Sequence, residues 1–323
     1  MDLHLPNATR PFSPAEIDLA VHVRPTALVH LVYADGVVPE HVGQVGSLVE
    51  RTGARLILRP YEREIMRRWQ AWDWGRECGR RTRPYLRFGR PAVVVTNEDN
   101  LPEEGGITEP WALWRYWVEA AAGVRSDLGD AVDLALPPLA PVGNYREIYG
   151  WIVSWGVPRH FQRVACHAYA RTGNWSDPAW LRAQTGLPVD VTEWDSWLGE
   201  GRYLPLSECL AKLEGAEARC WFILSSDDPA FDFCNLLKHR ELLEVEMELQ
   251  AIVEGLRKHL EESGEMARLA LDQNALLTEL VVRILEGKFD AASHGDQSAE
   301  ALLYAVSPNM MDRRLQVVRF PKG

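Results

Sequence analysis

The first 235 residues alternate short β-rich runs with stretches of helical or polar-loop character, and this alternation restricts the fold more than any other feature. Seven such runs are rich in valine, leucine and isoleucine, at residues 28–33, 55–59, 92–96, 131–136, 163–169, 189–192 and 219–224. Strands joined through helices run parallel, because a parallel pair needs a long crossover connection. The pattern therefore predicts an α/β fold with a parallel sheet covered by helices.

An eighth strand is needed if such a sheet is to close on itself, and residues 3–5 supply it. The helix predicted after it begins with Ser13 as N-cap, Pro14 at the first helical position and the acidic Glu16. Eight β/α units in about 235 residues fit a (β/α)8 TIM barrel, whose typical size is about 250 residues. The alternative is an open doubly wound sheet, but the sequence lacks the GxGxxG and GxxxxGKS/T motifs that such folds often carry.

Residues 236–323 follow a different pattern. Apolar residues from Leu242 to Ile284 recur in steps of three and four, with an interruption at Ser263 and Gly264. This indicates two helices joined by a tight turn. They are predicted to form either a hairpin packed on the barrel or on itself, or a short coiled-coil seam that makes homo-oligomers. We therefore predict a barrel domain at residues 1–235 and a helical hairpin and tail at residues 236–323.

The composition restricts the partners. With 35 basic and 46 acidic residues the net charge is −11, which argues against general binding to nucleic acid or to an anionic membrane. The five cysteines form no CxxC pair, so neither a disulfide framework nor a structural zinc site is expected. No apolar run reaches the ~18 residues of a membrane span, and the first residues do not form a signal peptide. We expect a cytoplasmic protein without metal or cofactor.

Tryptophan is unusually frequent, with 13 indoles that all lie within residues 69–221. An indole is a large flat apolar surface with one hydrogen-bond donor, so the excess indicates either an aromatic core or a site that stacks flat ligands. Trp111, Trp114 and Trp117 share one side of a predicted helix, which is typical of a packing face.

Polar and aromatic side chains stand at the predicted strand ends, where a barrel of this kind assembles its active site. The candidates are Asp35, Arg59, Tyr61, Asn97, Glu98, His167, Tyr169, Glu193, Trp194 and Trp221. A closed barrel brings strands 4 and 7 into one site, so Glu98 and Glu193 face each other across its mouth. Two such carboxyl groups can divide the acid and nucleophile roles at a glycosidic bond.

The order of these motifs resembles the clan of retaining TIM-barrel glycoside hydrolases over roughly residues 1–235. The motifs are Asn-Glu after strand 4, His-x-Tyr in strand 6, Thr-Glu-Trp in strand 7 and a tryptophan in strand 8. The resemblance implies that Glu98 is the general acid/base and Glu193 the nucleophile. It also implies that Asn97 binds the hydroxyl group beside the reacting carbon.

Further roles follow from the same resemblance. Tyr169 is expected to hydrogen-bond the nucleophile, Arg59 to support it and Trp221 to floor the sugar site. The strand-end positions of the remaining candidates predict additional substrate contacts, by Asp35, Tyr61, His167 and Trp194. One departure from the family is Asp99, which stands where a proline often follows the Asn-Glu pair.

The sequence thus predicts a glycoside hydrolase that cleaves a β-glycosidic bond with retention through a covalent glycosyl-enzyme. Two alternatives stay open. The barrel is a catalytically inactive carbohydrate-binding or structural module, or it is a phage-type cell-wall lysin. The predicted partner is a carbohydrate in every case except the purely structural one.

Overall fold

The computed structural model describes residues 1–6, 10–33, 39–172, 174–175, 177–204 and 206–239. Residues 1–204 and 209–240 form one compact unit, and a second unit consists of residues 205–208 and 241–323. The helices predicted within residues 236–323, and their role in oligomers, therefore fall almost entirely outside the described residues. Asp35 also lies outside them, so its predicted substrate contact stays a prediction.

Eight parallel strands form a closed barrel. They are β1 (Asp2–His4), β2 (Ala27–Val32), β3 (Arg55–Pro60), β4 (Ala92–Val94), β5 (Asp133–Leu136), β6 (Arg163–Tyr169), β7 (Val189–Asp195) and β8 (Ala216–Trp221). Each strand pairs with the next in the chain, and β8 pairs with β1 to close the ring. The predicted TIM barrel is therefore confirmed, and the open-sheet alternative is excluded because neither β1 nor β8 is an edge.

Helices cover the outside of the ring. They are α1 (Pro14–Val23), α2 (Pro39–Thr52), α3 (Ile65–Arg68), α4 (Ala71–Thr82), α5 (Pro110–Leu128), α6 (Tyr145–Ser154), α7 (Pro178–Thr185) and α8 (Leu206–Lys212). The predicted start of α1 is confirmed, because Ser13 and Glu16 form a capping box that satisfies backbone donors at the helix end. A hairpin of two short strands, Trp197–Gly199 and Arg202–Tyr203, follows β7.

Two glycines bring α4 and α5 into close contact. A Cβ atom on Gly75 would lie 2.1 Å from the carbonyl oxygen of Ala120, and one on Gly123 would lie 2.5 Å from that of Trp72. No side chain fits at such distances from a backbone atom, so glycine is required at both positions. The close helix pair lies behind the loop that carries Asn97 and Glu98.

The barrel interior is filled with small and branched apolar side chains. A buried cluster drawn from six strands consists of Ala27, Val29, Ile57, Ala92, Val94, Ala135, Ala165, Ala218 and Cys220. Residues from strands all around the ring can meet only inside it, so this cluster is the barrel core. Their side chains fill the middle of the ring, as in other packed barrels.

Charged residues close the amino ends of the strands. Asp190 in β7 is 1% exposed and is bound by two guanidinium groups, with Arg55 Nη2 at 2.7 Å and Arg163 Nε at 2.6 Å. Asp2 in β1 accepts backbone N–H groups of β2 and β8 at 2.8 Å each. These contacts involve six of the strands, at the end of the barrel that faces away from the predicted site.

The five cysteines are all buried and free. Of the three tryptophans on α5, Trp117 is fully buried, as expected for a packing face, whereas Trp111 at the start of the helix is 53% exposed. Trp111 stacks on Trp114 with ring centres 4.7 Å apart. Among the described helices, none combines the length and apolar character that crossing a membrane requires.

Candidate active site

A cavity of about 910 Å³ opens at the carboxyl ends of the strands. The strand-end side chains that line it include Arg59, Tyr61, Asn97, Glu98, Tyr169, Glu193, Asp195 and Phe222. They come from β3, β6, β7 and the segments that follow β3, β4 and β8. Six of the residues selected from the sequence therefore share one cavity.

Glu193 is a buried carboxylate stabilised by its neighbours. It is 4% exposed, forms an ion pair with Arg59 and accepts a hydrogen bond from the Tyr169 hydroxyl. Burial alone would raise the pKa of Glu193, but the positive charge of Arg59 and the Tyr169 donor outweigh it and lower the pKa to about 2. Glu193 is therefore ionised at neutral pH, as a nucleophile must be.

Arg59 connects Glu193 to the fourth strand end. Its Nη1 donates to Asn97 Oδ1 at 3.0 Å, and its Nη2 lies 3.3 Å from His4 Nε2. The other His4 nitrogen, Nδ1, lies 2.9 Å from a backbone carbonyl oxygen, so Nδ1 carries the proton and Nε2 accepts from Arg59. Burial and the Arg59 charge lower the pKa of His4 to about 3, which keeps this ring neutral.

Glu98 follows β4 in an unusual backbone conformation. Its φ of 44° lies in the left-handed region, which is costly for a side chain other than glycine. Two backbone hydrogen bonds hold it there, from its N–H to Pro138 O at 3.1 Å and from Leu101 N–H to its carbonyl at 2.7 Å. This turn directs the Glu98 carboxyl group into the cavity.

His167 lies between the two glutamates. Its Nδ1 is 2.8 Å from Glu98 Oε1 and 3.8 Å from Glu193 Oε2, and its Nε2 is 3.4 Å from Arg59 Nη1. Since Arg59 can only donate, Nε2 accepts and Nδ1 donates to Glu98. The predicted role of His167 needs a correction, because the ring is 0% exposed and does not line the cavity. It contacts the two carboxylates from behind.

The predicted sugar contacts of Trp194 and Trp221 also need a correction. Both indoles are buried, at 0% and 1% exposure, and they pack edge to face with centres 4.8 Å apart. Trp221 Nε1 donates to Cys234 O at 2.9 Å. Neighbouring residues of a strand point to opposite faces. Because Glu193 points into the cavity, Trp194 points away from it.

The aromatic side of the cavity comes from residues that the sequence analysis missed. Phe222, the residue after β8, lines the cavity where Trp221 was expected. Phe231 packs edge to face on Phe222, with ring centres 5.6 Å apart. Trp197 stacks on Phe233 with centres 4.2 Å apart, and the Arg171 guanidinium lies 4.6 Å from the Trp197 ring centre. The aromatic-rich Pro229–Cys234 turn was the available signal for this wall.

The two aspartates near the glutamates differ in their surroundings. Asp99 points away from the cavity, and its Oδ2 accepts from Thr96 Oγ1 at 2.5 Å and Trp117 Nε1 at 2.9 Å. Asp195 lines the cavity and accepts the Trp197 N–H at 3.0 Å. Burial raises the pKa of each aspartate to about 7. Asp99 is therefore a structural carboxyl group behind the cavity.

Tyr61 has a partner that the sequence analysis did not select. Its hydroxyl group donates to Glu104 Oε1 at 2.8 Å, across 43 positions of the sequence. Glu104 ends the short Pro102–Glu104 turn on the loop after β4 and also lines the cavity. No motif marks it, because its position depends on how that loop folds back towards β3.

No family model and no curated protein matches the chain. Among solved structures it is similar to a family 51 α-L-arabinofuranosidase from Bifidobacterium longum, with 11% identity and a TM-score of 0.45 over 69% of this chain and 66% of that one. An exo-β-1,4-mannosidase from Opitutaceae bacterium strain TAV5 has 12% identity and a TM-score of 0.44 over 72% and 53%. A dihydrodipicolinate synthase has 12% identity and a TM-score of 0.38 over 97% and 98%.

The chain thus spans two thirds or less of the length of the two hydrolases. Likenesses at this level do not bear on what the chain does, and the barrel fold rests on the closed sheet itself.

Proposed function

We propose that the chain is a glycoside hydrolase in which Glu193 is the nucleophile and Glu98 the general acid/base. One observation carries the proposal. Two buried carboxyl groups from different strands line one cavity and lie 2.8 and 3.8 Å from the same nitrogen of His167. Hydrolysis of a glycosidic bond requires two carboxyl groups held close together in one cavity.

The surroundings of the two glutamates differ in the way that this chemistry needs. Glu193 is paired with the guanidinium of Arg59 and receives the Tyr169 hydroxyl, which stabilises its ionised form. Within the described part of the chain, Glu98 forms no ion pair with an arginine or lysine, and its partner is the His167 ring. The carboxyl group without a fixed cation is the one suited to exchange a proton during the reaction.

The reaction proceeds in two displacements. The Glu193 carboxylate attacks the anomeric carbon while Glu98 donates its proton to the leaving oxygen, so that the glycosidic bond breaks and a glycosyl ester forms. Glu98, now ionised, removes a proton from a water molecule, which attacks the same carbon and releases Glu193. Arg59 balances the negative charge of Glu193 before attack and after release.

We also propose retention of configuration. Glu98 Oε1 and Glu193 Oε2 lie 2.8 and 3.8 Å from His167 Nδ1, which leaves room for the ~5–5.5 Å between carboxyl groups that retaining enzymes show. We extend the proposal to β-linked substrates on the motif resemblance alone.

The test uses 4-nitrophenyl β-glycosides of glucose, mannose, galactose and xylose. The wild type should hydrolyse at least one, and proton NMR of the first product should show the β anomer. Glu193→Ala should be inactive, and added azide should restore turnover by forming the α-glycosyl azide. The matched control is Glu50→Ala, at an exposed glutamate on α2 that does not line the cavity.

Two outcomes would contradict the proposal. The first is equal turnover by the wild type and Glu193→Ala. The second is sugar binding, measured by calorimetry, without turnover by the wild type, which would favour the catalytically inactive carbohydrate-binding barrel. A first product with the α anomer would contradict retention and leave hydrolysis in place.

A further inference from the structure

Glu104 is a further carboxyl group in the same cavity, and the proposed hydrolysis does not use it. Glu104 accepts a hydrogen bond from Tyr61 at 2.8 Å and is also hydrogen-bonded by the Asn97 side chain. It is only partly exposed and lines the cavity with Glu98 and Glu193. A carboxylate held in place beside a reacting pair, but outside it, is available to bind substrate.

The loop that carries Glu104 is fixed by its own backbone. Glu104 N–H donates to Leu101 O at 3.0 Å, and Leu101 N–H donates to Glu98 O at 2.7 Å. Two more hydrogen bonds close the loop, from Gly106 N–H to Leu101 O and from Ile107 N–H to Asp99 O, both at 2.7 Å. Glu104 is therefore held at a set position relative to Glu98.

The orientation of Asn97 supplies the complementary donor. Its Oδ1 accepts from Arg59 Nη1 at 3.0 Å, so its NH2 group is the part that meets Glu104. Arg59 in turn is paired with Glu193. A chain of contacts thus runs from the nucleophile through Arg59 and Asn97 to Glu104 and Tyr61.

This arrangement matches the chemistry of sugar hydroxyl groups. A carboxylate offers about four lone-pair sites, so two protein donors leave Glu104 able to accept from substrate. An amide NH2 beside a carboxylate presents a donor and an acceptor together, and neighbouring hydroxyl groups of a sugar can satisfy both. A sugar carboxylate beside Glu104 would meet the negative charge of Glu104, while Arg59 is already paired with Glu193.

We infer that Glu104, held by Tyr61 and Asn97, is a specificity-determining residue that accepts a hydrogen bond from a hydroxyl group of the sugar bound between Glu98 and Glu193. The substrate class is a neutral glycoside with free neighbouring hydroxyl groups, as opposed to a uronide. The inference rests on the proposed glycosidase activity.

The test measures kcat/KM while the Glu104 side chain and the substrate hydroxyl groups are removed separately and together. We compare the best 4-nitrophenyl β-glycoside with each of its monodeoxy analogues, using the wild type, Glu104→Ala and Glu104→Gln. A hydrogen bond to a charged group is worth roughly 1.5–3 kcal/mol, so removing the recognised hydroxyl should lower the wild-type kcat/KM by about 10- to 100-fold. Glu104→Ala should lose a similar factor on the full glycoside but process that deoxy analogue as well as the wild type does.

The Glu104→Gln variant guards against a folding defect, because it keeps the side-chain shape and the acceptor for Tyr61. It should show the same loss of discrimination at the same hydroxyl group. Glu50→Ala, at an exposed glutamate on α2 outside the cavity, should discriminate among the deoxy analogues as the wild type does. A purely structural role of Glu104 would lower the rates on all analogues by one common factor.

The outcomes separate this inference from the proposed function. Two results overturn the inference alone. In the first, the wild type turns over substrate, but the loss of kcat/KM from Glu104→Ala and the loss from the deoxy substitution simply add at every hydroxyl position. In the second, 4-nitrophenyl β-D-glucuronide is hydrolysed as fast as the neutral glycoside. A wild type that hydrolyses none of the glycosides overturns both. Loss of discrimination at one hydroxyl position in both Glu104 variants supports the inference.

Discussion

The two ends of the barrel each hold a buried carboxylate, and the same strand supplies both. In β7, Asp190 lies at the amino end and Glu193 lies three residues later in the cavity at the carboxyl end. The two oxygens of Asp190 are each met by both Arg55 and Arg163, in two bidentate pairs. Glu193 has one guanidinium and one tyrosine hydroxyl, and it lines the cavity.

The difference between the two shows how one fold can hold one carboxylate for stability and another for contact with a ligand. Bidentate pairing on both sides uses the hydrogen-bonding capacity of Asp190 and leaves no direction for a ligand. Glu193 is stabilised enough to stay ionised but keeps lone pairs that a substrate can approach. A carboxylate whose hydrogen-bonding sites are all used by ion pairs is structural. A carboxylate that keeps free lone pairs beside its ion pair is available to a ligand.

The largest expected effect separates the two residues by activity. Glu193→Gln should lower kcat/KM towards aryl glycosides by on the order of 10⁴-fold or more, since an amide cannot replace the proposed nucleophile. Asp190→Asn should leave kcat within a few-fold of the wild type below its melting temperature. Equal losses in the two variants, measured by steady-state kinetics, would break the comparison.

The second effect separates them by stability. Asp190→Asn leaves two guanidinium groups around a neutral side chain, and breaking a buried pair of this kind costs about 3–5 kcal/mol of unfolding free energy. Glu193→Gln should cost less, because the cavity gives water access to the groups left behind. Urea unfolding of the three proteins at pH 7 measures the difference. A Glu193→Gln loss larger than that of Asp190→Asn would contradict it.

The third effect concerns Arg59, the guanidinium that is paired with Glu193. Replacing Arg59 by Gln removes the positive charge that offsets burial, so the pKa of Glu193 should rise from about 2 into the range where activity can be measured. The kcat/KM profile should then fall on the acidic side, below about pH 5, and kcat/KM at pH 7 should drop roughly 100-fold. The control is Arg67→Gln, which breaks an exposed pair with Glu64 outside the cavity. An unchanged acidic limb in Arg59→Gln would show that Arg59 does not tune Glu193.

Much of the fold could be predicted because it follows from local alternation. The strand at Arg163–Tyr169 agrees with its predicted bounds, since it is a continuous β-rich run. The strand predicted at residues 92–96 ends at Val94 instead. The chain turns after it, where Thr96 and Trp117 bind Asp99.

The site residues at strand ends could be predicted from the sequence. The residue on a loop that folds back towards the cavity could not. Glu98, Glu193 and Tyr169 meet because parallel strands gather their carboxyl ends, and their catalytic roles stay predictions. Glu104 meets Tyr61 through a loop whose path no local pattern encodes. Trp194 and Trp221 were wrongly predicted to contact sugar. For Trp194 the sequence already held the reason, since alternation along a strand directs the neighbour of Glu193 away from the cavity.

The smallest expected effect comes from Asp99, a buried carboxyl group without any guanidinium. Its pKa is raised from 3.8 to about 7 by burial, so between about pH 4 and 7 the folded state holds a proton that the unfolded chain has lost. This group therefore lowers the free energy of unfolding as pH rises through that window. Asp195 has the same direction of shift, so the wild type alone does not isolate the effect.

The Asp99→Asn variant isolates it. Urea unfolding at pH 5 and pH 8 should show a smaller loss of stability in Asp99→Asn than in the wild type, because the amide does not titrate and the Asp195 contribution is common to both. The matched control is Asp130→Asn, whose side chain is 93% exposed and which should follow the wild type. If Asp99→Asn lost as much stability as the wild type over this range, Asp99 would be ionised throughout. A buried carboxylate in this barrel would then need no cation, and saturation of ion pairs would no longer distinguish the two ends.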